Sequence, residues 1–203
     1  MSTIESAESS DRPSGCHPEL MAERAKPTED ELRAFSQHLL YEIEMMGETT
    51  RLLAVVDRMD ASRQRTTLRN ALLEAWALHV RNLLGFLYDT RAGKGDGIAP
   101  DFIGSTWGSL RGPKPDVLRV AHTKASKEIA HMSYVRSTIS DEDREWHPTP
   151  IIAAIGKTMH AFLKAVPAAL VIDGFHDRAR QQLPASGISL SEHALQVVAG
   201  ATQ

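Results

Sequence analysis

Apolar residues recur at three- and four-residue steps along most of this chain, and no segment alternates convincingly with a period of two. Leu32, Phe35, Leu39, Ile43 and Met46 make one stripe, which Leu53 and Val56 carry on to about Met59. Gly47 lies inside that run and is expected to bend the helix or divide it. Just before it, Thr28-Glu29-Asp30-Glu31 has the form of a capping box, with the Thr28 hydroxyl accepting a first-turn N–H and Glu31 reaching back to the Thr28 amide. Leu68, Leu72, Ala75, His79, Leu83 and Phe86 predict a second helix from about residue 62 or 65 to 88, stopped by a stretch with three glycines between 91 and 97. A short helical turn at 100–103 and a Trp107 that pins the connection to the core follow. Pro113 and Pro115 precede a third main helix over 116–137. Thr149 as N-cap, with Pro150 at the first helical position, opens a fourth through Ile151, Ile155, Met159, Phe162 and Val166. Pro167 ends or kinks it, and a further helical stretch over 168–182 bends near Gly174. The pattern predicts an all-α, up-and-down helical bundle of four or five main helices.

The composition adds one core to that picture. A chain of 203 residues, 42% hydrophobic and 24% charged, suits a single domain over 28–183. Residues 1–27 are rich in Ser, Glu, Pro and Gly and read as a disordered tail, and 184–203 as a C-terminal segment of uncertain order. A net charge of -3 supplies no global field for a polyanion, so nucleic acid would have to be held by a local patch. The arginines at 58, 63, 65 and 69 are one such patch, weakened by Asp57 and Asp60, and read first as a solvated turn. The single cysteine, Cys16, forms no internal disulfide and fits a reducing compartment. The N-terminus lacks a basic region followed by an apolar run, and the apolar-rich 165–172 is far short of the ~20 residues that span a bilayer. A soluble, cytoplasmic protein without membrane contact is expected.

Two polar sets interrupt the apolar patterns: His79, Arg81 and Asn82 in ALHVRNLLGFLYD, and Lys127, His131 and Arg136 in KEIAHMSYVR. An unpartnered polar group out of water costs about 1–3 kcal/mol, so each needs a partner. At ~100° per residue His79 shares a face with Leu72 and Phe86, and Asn82 falls beside Ala75. Arg81 points to a wetter flank near Glu74 and Tyr88. On the third helix His122 and Arg136 project with Leu118 and Ile129, opposite His131 with Lys124 and Lys127. One reading makes His79, Asn82, His122 and Arg136 an interhelical network with Asp89 or Asp101 as counter-charge, setting packing or dimer register in a non-catalytic interaction module. The other makes Arg81 and His131 the charge-stabilising and proton-transferring groups of a site on an RNA phosphate, with His79, Asn82, Lys127 and Arg136 binding around them. A third draws a metal to His79, His122 and His131, although no His-Glu-x-x-His spacing is present, and neither a metal nor a cofactor is assigned. The glycine loop lacks the spacing of a phosphate-binding P-loop.

Arg81-Asn82 on one helix and the Ile-Ala-His segment ending at His131 on a later one resemble the HEPN superfamily of small bacterial helical proteins, over roughly residues 30–165. The resemblance implies RNA or nucleotide binding, metal-independent endoribonuclease activity carried by Arg81 and His131, and a homodimer with the site at its interface. The family signature places a histidine four to six residues after its arginine on one helix. Here Arg81-Asn82 is followed by LLGFLYD, a degenerate form that implies binding ahead of cleavage.

Overall fold

The computed structural model describes residues 25–90, 93, 95–129, 140 and 145–184. Most of the expected N-terminal tail, the residues after 184 and the expected third helix beyond 129 lie outside the described residues, and with them Cys16, His131 and Arg136. The described residues form an all-α bundle without strands. Helix α1 spans Glu29–Val56 and opens with the capping box at full strength: Glu31 N–H donates to Thr28 Oγ1 at 3.2 Å and Thr28 N–H to Glu31 Oε2 at 2.8 Å. Those Thr28 donors hold the Glu31 carboxyl below its ordinary pKa.

Gly47 does not break α1, which runs on unbroken through it. A Cβ at Gly47 would lie 2.7 Å from Gln182 Oε1, so the glycine marks where a later helix, α7 (Phe175–Gln182), crosses. Arg51 Nη2 donates to Gln182 Oε1 at 3.0 Å, and Arg178 pairs with Glu44, fastening α7 along α1. α7 starts from Gly174, whose φ of 74° lies in the left-handed region.

α2 (Arg63–Tyr88) starts at Ser62, whose hydroxyl accepts from Arg65 N–H at 3.1 Å. It returns antiparallel to α1: Arg65 Nε donates to Val56 O, His79 meets Glu42, and Phe35 stacks with Phe86. Around the turn Arg58 and Arg63 are exposed, while Arg65 reaches back to the backbone carbonyls of 56 and 57 and Arg69 pairs with Asp57 at 2.8 Å on the surface. Its buried face begins only at Trp76, running through Ala77, Val80, Leu84 and Leu87, while Leu68 stays exposed.

Short helices α3 (Ala99–Ile103) and α4 (Trp107–Arg111) follow the glycine loop. Trp107 is buried and donates its indole N–H to Leu87 O at 2.8 Å, fixing the connection as expected. α5 (Asp116–Lys124) runs into a π-helical turn, Ala125–Ile129, and lies antiparallel to α2, with Lys114 near Tyr88 and Ser126 near Arg81. α6 spans Pro148–Ala165, beginning one residue before the expected Thr149 cap because Pro148, lacking an N–H, suits the first turn. Phe162 of α6 meets Phe86, Phe102 and Trp107 edge-on at 5.1, 5.7 and 5.9 Å, joining α2, α3 and α4 in one core. Tyr88 Oη shares a buried hydrogen bond with Thr158 Oγ1 at 2.8 Å. None of the described helices is long and apolar enough to cross a membrane.

Candidate functional site

The antiparallel pairing of α1 and α2 brings Phe35, His38, Leu39 and Glu42 alongside Arg81, Asn82, Gly85, Phe86 and Asp89. The segment Gly95–Ile98 forms a second wall and His122 of α5 a third, enclosing a cleft of about 410 Å³. That volume falls in the range of small-molecule sites, roughly 300–1,000 Å³. Its floor is apolar, from Phe35, Leu39, Leu83, Phe86 and Ile98, and its rim is polar. Gly97 lies flat against the ring of Phe35, into which any Cβ there would run. Gly85 differs: a Cβ on it would meet only Asp89 Oδ2, at an ordinary 3.4 Å, so packing does not demand a glycine there and its bare backbone leaves room on the cleft floor.

Within the cleft Glu42 Oε2 accepts from Asn82 Nδ2 at 3.2 Å and is 2.8 Å from His79 Nδ1, which must be the protonated nitrogen opposite an acceptor-only carboxylate. His79 is buried, with Tyr41 edge-on to its ring at 5.8 Å, and does not line the cleft. The counter-charge to His79 and Asn82 is therefore Glu42, and neither Asp89 nor Asp101. Asp101 instead closes the start of α3, accepting Ile98 N–H at 3.0 Å. Arg81 is not on a wet flank. The π-helical turn covers it, and its Nε donates to Ser126 Oγ at 3.2 Å; among the described residues no carboxylate forms an ion pair with its guanidinium. Lys127 is exposed on that turn and is not part of the cleft lining.

No family model matches this chain, and no curated protein or solved structure is similar to it.

His122, on the cleft wall, has a basic neighbour in Lys114, which is not itself part of the cleft lining. Lys114 Nζ lies 2.8 Å from His122 Nδ1, so the ammonium donates to a ring lone pair and the remaining proton of a neutral His122 sits on Nε2. Burial holds His122 below its ordinary pKa, and the charges of Lys114 and Arg81 act in the same direction against the opposing pull of Asp89. Lys114 is lowered too, by burial first, with Asp89 opposing and Arg111 reinforcing. Arg111 and Lys114 both lie over the Tyr88 ring, 4.9 and 5.3 Å from its centroid. Among the described residues no group of three His, Cys, Asp or Glu side chains is arranged to hold a metal. Of the sequence-derived candidates, Arg81 and Asn82 line the cleft together, His79 braces it from behind, and Lys127 stands apart. Sequence reasoning missed His38 and Glu42 of the lining, and Lys114, the partner of His122. The first two are one helical turn apart at the edge of the α1 stripe, a detectable signal; Lys114, between two prolines in a connection, carried none.

Proposed function

We propose that this protein binds a phosphate-bearing ligand, a nucleotide or RNA, in the cleft between α1, α2 and α5, as a HEPN-like helical protein would. The observation that carries this reading is Arg81: half-buried, at a cleft wall, positioned by Ser126 and without a carboxylate partner among the described residues. A guanidinium in that setting is suited to a phosphate, which it grips by two parallel bonds. Asn82 adds an amide and His122 an imidazole N–H on the same wall system. The finer part of the proposal is metal-independent endoribonuclease activity, with Arg81 stabilising charge on the phosphate and His131 moving a proton.

Incubating the purified chain with mixed RNA tests both levels. Retention of RNA that weakens steeply with salt and is lost in Arg81→Ala is expected, as is cleavage lost in His131→Ala. Neither retention nor cleavage would remove the proposal. The homodimer implied by the same resemblance is supported by Tyr41, Leu52, Val55 and Met59, which recur at helical spacing on the exposed outer side of α1 and its end. Sedimentation should give a dimer that Leu52→Glu with Val55→Glu converts to monomer.

A further inference from the structure

Resting on the phosphate-binding reading, we infer that Asp89 reads the base of the ligand and that this base is guanine, its Watson–Crick edge donating to the Asp89 carboxylate while the phosphate sits at Arg81. Arg81, Gly85 and Asp89 stand at i, i+4 and i+8 on α2, so they follow one side of the helix, and all three line the cleft. Their Cα atoms span about 12 Å at 1.5 Å per residue, close to the reach of a mononucleotide from its phosphate to the far edge of its base. Gly85 leaves the middle of that track bare. Asp89 leans back onto it, since its Oδ2 lies 3.4 Å from where a Gly85 Cβ would be, and Phe35, Phe86 and Ile98 supply apolar surface for an uncharged ring.

Among the described residues three carboxylates line the cleft, and they are not equivalent. Glu42 accepts from Asn82 and faces His79, and Asp96 accepts Gly93 N–H, so both are engaged. Asp89 accepts no hydrogen bond from any described residue, and Lys114 attracts it only through space, from outside the lining. It is also the C-cap of α2, where the negative end of the helix disfavours a carboxylate and no basic residue of the last turn offsets it. An exposed acceptor so placed gains from a ligand edge that presents donors. Guanine is the base whose edge carries two neighbouring donors, N1–H and the 2-amino group, in the fork that two carboxylate oxygens accept. Adenine and cytosine set a ring-nitrogen lone pair beside their amino group, and uracil flanks one N–H with two carbonyls, so each turns an acceptor toward Asp89.

The test is titration calorimetry of the full chain with the 5′-monophosphates of guanosine, inosine, adenosine and xanthosine, which share the phosphate and differ at the base edge. Guanosine monophosphate should bind more tightly than adenosine monophosphate by about ten- to a hundredfold, the range of charged hydrogen bonds. Inosine monophosphate, which lacks the 2-amino donor, should fall between them. In Asp89→Asn the guanosine ligand should drop to the adenosine level, while the xanthosine ligand, whose 2-oxo group opposes the wild-type carboxylate, should gain about tenfold from the new amide donor. A damaged fold cannot produce that gain. Equal affinity for guanosine and adenosine monophosphate in the wild type overturns the assignment, as does a guanosine preference that survives Asp89→Asn, or a substitution that costs guanosine binding without favouring xanthosine. Arg81→Ala should weaken every ligand alike. If all four bind through Arg81 without a base preference, phosphate recognition stands and base reading falls. If none binds, both fall.

Discussion

Glu42 Oε2 is the shared acceptor of His79 and Asn82, and it holds α1 to α2 beside the cleft. Glu42→Ala leaves the buried His79 ring nitrogen without a partner, and a loss of about 1–3 kcal/mol in urea-induced unfolding is expected. A denaturation midpoint equal to wild type would show that the pair contributes nothing. His122 gives a second outcome, in pH. The fold holds this imidazole below its ordinary value of 6.5, so as pH falls the unfolded chain takes up the proton first. Its contribution to stability is complete above pH 6.5 and declines on acidification below that value. In His122→Gln the thermal midpoint should fall less on acidification than in wild type; identical profiles would contradict the assignment. At this scale the sequence exposed Arg81 and Asn82 as cleft residues because polar groups inside an apolar pattern must be satisfied. For His79 and Asn82 it named Asp89 or Asp101 where the structure has Glu42, because a counter-charge is chosen by the crossing of two helices, which spacing along one helix does not specify.

Glycines separate the roles of the elements that build the cleft. Gly85 sits inside α2, where alanine improves helix propensity by about 1 kcal/mol. Gly85→Ala should therefore stabilise the protein while narrowing the cleft, and calorimetry should show weaker ligand binding together with a higher unfolding midpoint. Gly97→Ala has the opposite expectation: its methyl group would drive into the Phe35 ring, so stability and the loop wall are both lost. The helix starts at Thr28 and Ser62 and the stop after Tyr88 were legible because caps and glycines are local chemistry. The continuity of α1 through Gly47 was not, since its reason lies in Gln182, far along the chain. The partners of Arg65 and Arg69, at residues 56 and 57, were hidden likewise until α1 and α2 were brought together.

For the whole molecule, Phe162 is the residue on which the cleft floor rests, because it packs against Phe86 from behind while touching α3 and α4. Phe162→Ala should cost about 3–5 kcal/mol, read from chemical denaturation, and should weaken ligand binding even though Phe162 does not line the cleft. An unchanged midpoint would mean the aromatic cluster is not a common core. The all-α class was legible from the period of the apolar residues alone, whereas the cleft was not, since it is enclosed by segments from four separate stretches of chain. The π-helical turn at Ala125–Ile129 seats Ser126 on Arg81, and it does so by holding one residue more than a regular α turn requires. A single-codon deletion in that stretch would let the widened turn close to a regular α-helix and move Ser126 relative to Arg81. Conservative replacements there should be tolerated where an indel is not, so the count of residues matters more than their identity.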